Sequence, residues 1–306
     1  MTVLRAHDLV ITGQNPGSLV RQGKLVRVRH GAYADAVGTD ALTKHRQLVA
    51  GTWPIVGADA VLSHISAGVM HGLPTWDDSL DRVTVARPSG GHGSRRTSLH
   101  VRVSALPRSD TTSIEGRRVT SIERTVADLA CMLRYERAVA VMDAALHAGA
   151  DRSLIADQVS ASARKHGIRT ARAALEFADG RSESVAESMS RVRMSEVGVP
   201  EPELQVEIFD DFGNLLGRSD FGWVLLGVLG EFDGKVKYIG PSDQVARTVM
   251  NEKSREDSLR QLGWVVVRWN WQDLLNPSAL RRRIEAAFEQ ANPEKIRGHY
   301  RLTPAI

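Results

Sequence analysis

The sequence predicts an α/β (α+β) fold in three parts, and three observations predict it. Apolar residues recur at helical spacing, between recognisable caps, through residues 40–75 and 120–198. Short runs that alternate with period two, or are apolar throughout, occupy 25–33, 81–120, 204–232 and 264–271. From residue 184 the order reads helix, strand, strand, strand, helix, strand, helix, while a small basic module stands at the start of the chain. With 306 residues, 42% of them hydrophobic, the chain can bury more than one core. The expected division is 1–38, 39–179 and 180–306.

Composition narrows the function classes. A single cysteine, Cys131, excludes an internal disulfide framework and a Cys-rich zinc site, and it suits a reducing cytoplasm. No apolar run approaches the roughly 18 residues that span a bilayer. The start of the chain lacks the basic, apolar and small-residue succession of a signal peptide. A cytoplasmic protein with no membrane association is expected. The formal net charge of +4 is placed unevenly. Arg5, Arg21, Lys24, Arg27 and Arg29 face one acid, Asp8, in the first 33 residues, and the rest of the chain balances to zero. A basic terminal module is the electrostatic footprint of a nucleic-acid contact.

That module reads as a winged helix. A short helix over Arg5–Thr12 is followed by the turn Asn15-Pro-Gly-Ser18, with Ser18 or Asn15 available as N-cap. A second short helix, Ser18–Gln22, stops at Gly23. Leu25-Val-Arg-Val-Arg-His-Gly-Ala-Tyr33 alternates as a strand, turns at His30-Gly31 and returns, so Arg27 and Arg29 are expected on one face. In that arrangement a helix enters the major groove and the ribbon grips phosphates. The candidate DNA-contacting residues are Asn15, Ser18, Arg21, Gln22, Lys24, Arg27 and Arg29. The alternative is a small helix–hairpin module with a solvated basic face.

The middle part begins with a helix capped by Asp40, and a second is expected over Asp59–Gly72, closed by Gly72 and Pro74. His64 and His71 are spaced for packing and capping rather than for a metal pair. Strands follow at 81–86, 98–103 and 116–120. The loop from Pro88 to Arg96 lacks the Gly-Lys-Ser/Thr of a phosphate loop and reads as a hairpin tip. Thr120-Ser121 caps a helix, and Ala- and Leu-rich helices continue over 137–149, 151–167 and 169–178. Ser162 and Lys165 match a serine–lysine spacing on a polar helix that carries no further motif.

In the last part Ser184-Val-Ala-Glu187 is a helix capping box, and that helix ends at Gly198. Leu204–Phe209 is a strand. The apolar run Trp223–Leu229 is then flanked by Asp220 on one side and Glu231 and Asp233 on the other. A buried hairpin bending near Gly227 pairs residues whose numbers sum to 451, which sets Asp220 opposite Glu231. Like charges opposite each other destabilise a sheet. Three carboxylates on one face imply a positive counter-charge, with a divalent metal the first candidate. Beyond them lie a charged helix over 243–263, the strand Trp264–Trp271 and a final helix of about 13 residues.

This order, with its acids, resembles the PD-(D/E)xK nuclease fold, and more closely its very-short-patch-repair-like branch. The matching residues are Glu187 on the helix, Ser219-Asp220, and Glu231-Phe-Asp233-Gly234. The resemblance covers about 180–290. It implies a restriction-endonuclease-like αβββαβ domain in which Asp220, Glu231 and Asp233 hold Mg²⁺, with Mn²⁺ as substitute. It also implies that Glu187 assists and that Lys235 lies near the scissile phosphate. The lysine of the pattern is replaced by Asp233, and Lys235 and Lys237 stand nearby. Such a domain serves either as an endonuclease or as an inactive binding scaffold.

The first half resembles a second family, the AbiEi-like antitoxins of type IV toxin–antitoxin systems. The matching stretches are Leu25–Tyr33, Ser63–Pro74 and Val119–Leu129. That resemblance, over about 1–150, implies a winged-helix DNA binder that represses its own operon and opposes a nucleotidyltransferase toxin. Two readings follow for the whole chain. One is a DNA-directed regulator or defence protein with metal-dependent endonuclease capacity. The other is a non-enzymatic antitoxin or transcriptional repressor.

Overall fold

Strand β1 (Val3–Arg5) runs directly into helix α1 (Ala6–Ile11), and helix α2 (Pro16–Arg21) follows, in a computed structural model that describes residues 3–76, 80–88, 92–234 and 254–304. Asn15 starts α2: its Oδ1 accepts the Ser18 N–H at 3.0 Å, and Pro16 sits where a missing N–H costs nothing. Strands β2 (Val26–Arg29) and β3 (Ala32–Ala34) turn at Gly31, whose φ is +78°. The three strands form an antiparallel sheet in the order β1-β3-β2. β1 has only three residues, too few to show alternation. A bulge between Arg27 and Arg29 corrects the period-two expectation, because one extra residue on β2 breaks the face that the two arginines were to share.

Asp40 caps helix α3 (Ala41–Thr52) by accepting the Thr43 N–H at 2.8 Å. Strand β4 (Val61–Leu62) then precedes helix α4 (His64–His71). The helix expected from Asp59 therefore starts five residues later. Val61 and Leu62 are fully buried in a strand flanked on both sides, antiparallel to Val85–Ala86 and parallel to Val119. A central strand of two apolar residues shows no alternation to distinguish it from a helix start. Gly72 ends α4 in the left-handed conformation.

Strands β5 (Val83–Arg87), β6 (Ser94–Arg95), β7 (Leu99–Val103), β8 (Thr111–Ile114) and β9 (Arg117–Thr120) complete a six-stranded sheet. Its order is β6-β7-β5-β4-β9-β8. Part of the expected hairpin tip, residues 89–91, lies outside the described residues. Val49, Leu62, Met70, Val83, Val85, Val101 and Val119 pack as the core of this sheet. Ser121 caps helix α5 (Ile122–Ala130).

Helices α6 (Tyr135–His147), α7 (Arg152–Ala161) and α8 (Ile168–Phe177) follow. The chain divides into two compact units that alternate along the sequence. The first is Met1–Arg134 with Ala150–Ala173, and the second is Tyr135–Gly149 with Ala174–Ile306. In the second unit α6 packs on helix α9 (Val185–Glu196). A buried ion pair ties them, with Arg191 Nη1 donating to Asp143 Oδ2 at 2.9 Å.

The sheet of the second unit comprises β10 (Glu203–Phe209), β11 (Leu215–Trp223), β12 (Val228–Phe232), β13 (Val265–Trp269) and β14 (His299–Arg301). Its order is β13-β12-β11-β10-β14. β11 and β12 pair as Phe221 with Gly230, Gly222 with Leu229 and Trp223 with Val228, the register that the apolar run predicts. Gly227, at φ +73°, closes the turn between them. Residues 254–261 form α10, followed by α11 (Trp271–Leu274) and α12 (Pro277–Gln290). The beginning of the helix expected over 243–263 lies outside the described residues. Trp269 anchors the core: it packs on Phe221, and its Nε1 donates to Ser190 Oγ at 2.8 Å. Among the described residues no helix is long and apolar enough to cross a membrane.

Candidate functional site

The second unit gathers three of the predicted acids. Glu187 stands in the first turn of α9, where Ser184 caps the helix and also donates its hydroxyl to Glu187 Oε1 at 2.7 Å. Glu187 Oε2 accepts the Glu183 N–H at 2.9 Å and Gln205 Nε2 at 2.8 Å. Burial pushes its carboxyl up, and these three donors pull it back part of the way. Asp220, on β11, accepts the Phe232 N–H at 2.9 Å. Its carboxyl is pushed up to about 6, first by burial and then by the charges of Glu187 and Glu231.

Glu231, on β12, is held differently. Arg255 Nη2, from α10, donates to Oε1 at 2.8 Å, and Arg268 on β13 donates Nε and Nη2 to Oε2 at 2.9 and 2.8 Å. Arg268 also reaches Glu256 at 2.7 Å. Asp233 is exposed just past the end of β12, and its N–H donates to Trp269 O at 2.7 Å. Lys235 and Lys237 lie outside the described residues.

As arranged, these carboxylates do not fit a divalent ion. A hard cation such as Mg²⁺ takes ionised oxygens in near-octahedral geometry. Both oxygens of Glu231 are occupied by guanidinium groups, Asp220 accepts the Phe232 N–H, and Glu187 is spent on the helix start and on Gln205. Among the described residues no group of three or more His, Cys, Asp or Glu side chains could hold a metal. Arg255 and Arg268 supply a counter-charge to Glu231.

Three residues of this cluster lay beyond the sequence reading. Arg255 and Arg268 are 24 and 37 positions from Glu231, so nothing local announces the pairing. Gln205 falls level with Asp220 between the pairs Leu204–Phe221 and Val206–Ser219. Its φ is +53°, a left-handed conformation inside a strand. For a non-glycine residue that costs roughly 1–3 kcal/mol, and it aims the amide at Glu187. Glu203, Gln205 and Glu207 alternate along the strand, so no signal in the sequence sets Gln205 apart.

In the first unit the basic residues separate into two groups. Arg21, Gln22, Lys24 and Arg27 are exposed, and Arg27 Nη2 lies 2.8 Å from His30 Nδ1. Arg29 turns inward, where Nη1 donates to Gly51 O of α3 at 3.3 Å and burial lowers its pKa. Asn15 spends its side-chain oxygen on the cap of α2, and Ser18 Oγ accepts from Gln22 Nε2 at 3.1 Å. Arg27, Arg29, His30 and Lys44 line one side of a cleft of about 790 Å³. His71 serves packing, donating Nε2–H to Thr120 O at 2.7 Å. Ser162 lies past the end of α7 and is buried, while Lys165 bonds Asp128.

Residues 58–177, which hold all six strands of the β6-β7-β5-β4-β9-β8 sheet together with helices α4 to α8, match the AbiEi antitoxin C-terminal domain. Two Mycobacterium tuberculosis proteins, each described as uncharacterized, align with nearly the whole chain. MT2308 (strain CDC 1551 / Oshkosh) and Rv2248 (strain ATCC 25618 / H37Rv) are each 33% identical over 288 residues, covering 92% of this chain and 98% of theirs. The chain belongs to one family with these two proteins.

Proposed function

We propose that the protein is a DNA-binding antitoxin that opposes a toxin partner and represses its own promoter, and that its second unit is a nuclease-like scaffold without cleavage activity. The observation that carries this reading is the match of 58–177 to the AbiEi antitoxin C-terminal domain in a chain that begins with a module exposing Arg21, Lys24 and Arg27. Exposed Lys and Arg contribute most of the affinity for duplex DNA by releasing counterions. On this reading Gln22 and Arg21 enter the groove and Lys24 and Arg27 grip phosphates. The toxin that the resemblance implies is a nucleotidyltransferase. A gel shift on the protein's own promoter, and co-expression with a neighbouring nucleotidyltransferase, test the two halves. Promoter binding that an Arg21→Ala/Arg27→Ala variant retains in full, or toxicity unchanged by co-expression, counts against it.

A second reading, a Mg²⁺- or Mn²⁺-dependent endonuclease, draws on one observation: Glu187, Asp220 and Glu231 converge beside the β11–β12 hairpin. It requires Glu231 to leave both arginines before a metal binds. DNA cleavage that depends on Mg²⁺ and disappears in Asp220→Ala would establish this reading in place of the scaffold.

A further inference from the structure

We propose that a cavity in the first unit, lined by His64, Arg102, Asp128, Cys131, Met132 and Lys165, binds a small organic phosphate of about nucleotide size. The cavity holds about 550 Å³, inside the range of roughly 300–1,000 Å³ typical of small-ligand sites and well beyond what a lone anion fills.

The charges explain why the ligand is an anion. Asp128 is already satisfied, with Arg124 Nε donating to Oδ2 at 2.9 Å and Lys165 Nζ to Oδ1 at 2.7 Å. Arg124 is in turn held by Asp110 at 3.0 Å. Arg102, near the end of β7, has no carboxylate within ion-pair distance among the described residues. Its Nη2 touches only the soft thioether of Met132 at 3.6 Å, and its Nε is buried with no acceptor. A half-buried guanidinium left in that state is a cation waiting for oxygen acceptors, and its planar fork matches a phosphate. Burial lowers the pKa of Arg102. Burial pushes the imidazole of His64 down to about 4 against the opposing charge of Asp128, with Arg102, Lys165 and Arg124 adding to the fall.

Two further features fit a built site. His64 holds φ at +51°, a left-handed conformation that few non-glycine residues adopt. Val103, Cys131 and Met132 add apolar surface to the lining for the uncharged body of the ligand.

The test uses the full chain and calorimetric titration with AMP, GMP, CMP and UMP, and separately with inorganic phosphate. At least one nucleotide is expected to bind saturably at millimolar concentration or below. Arg102→Gln should weaken that binding about tenfold or more, since a charge-assisted bond is lost. Its melting temperature should not fall, because Nε has no partner to lose. Met132→Trp, which fills the mouth without changing charge, should weaken binding as well. Inorganic phosphate should compete with the nucleotide. The absence of saturable binding by any probe, or full affinity in both variants, overturns the proposal. Phosphate that leaves the nucleotide titration unchanged overturns the role of Arg102.

Discussion

Glu231 and Arg268 stand side by side on neighbouring parallel strands, and the guanidinium grips one carboxylate oxygen through two nitrogens. Arg255 takes the other oxygen. Removing the acid leaves two cations close together. Glu231→Ala is therefore expected to cost about 2 kcal/mol, less than a fully buried pair because both arginines are about one-third exposed. Urea unfolding measures it, and the cost should shrink at high salt. A change within about 0.5 kcal/mol of wild type would show that the pair is solvated.

Asp220 makes stability depend on pH in an uncommon direction. With its carboxyl at about 6 in the folded protein and about 3.9 in the unfolded chain, the folded state keeps a proton that the unfolded state has lost. This contribution therefore falls as pH rises from about 4 to about 6, by up to about 3 kcal/mol in all. Asp220→Asn retains an acceptor for the Phe232 N–H and removes the penalty. The variant should be more stable than wild type at pH 8 and equal to it near pH 4. Melting curves at the two pH values decide the matter.

Arg27 and Arg29 should fail in different ways. Arg27→Ala is expected to weaken promoter binding and reduce the salt slope by about one phosphate, with an unchanged melting temperature. Arg29→Ala removes the bond to Gly51 O and should lower stability by about 1 kcal/mol. Gel shifts at several salt concentrations, run beside thermal melts, separate the two. Equal effects of both variants on DNA affinity alone would contradict the inward turn of Arg29.

The Asp143–Arg191 pair is almost wholly buried, and burial raises the pKa of Asp143 despite its partner. Arg191→Met strands that acid, and the expected loss is about 3–5 kcal/mol. Replacing both together, as Asp143→Leu/Arg191→Met, should recover much of it. Denaturant midpoints of wild type, Arg191→Met, Asp143→Leu and the double variant form the cycle. A double variant as unstable as Arg191→Met would mean that packing, not charge, is lost.

Local chemistry was legible in the sequence. The caps Asp40, Ser121 and Ser184 act on their own helices, and the bend at Gly227 sets a register that three observed pairs share. What needed distant partners was not. Val61–Leu62 is a strand only because strands from both sides cover it. The acids at 220 and 231 were visible, but the arginines that answer Glu231 come from α10 and β13. The left-handed Gln205 leaves no mark on residue type at all.

The alternation of the two units along the chain bears on how the protein can be taken apart. Cutting after Arg134 removes Gln158, which donates to Asp110 at 3.0 Å, and Lys165, which holds Asp128. Beginning at Ala174 discards α6, and with it the acid that answers Arg191. No single cut yields either unit whole. During synthesis the first unit must wait for residue 173 before it can close, by which time α6 has already emerged and awaits partners not yet made. Truncation at a point chosen from family boundaries alone would test the folding of an incomplete unit.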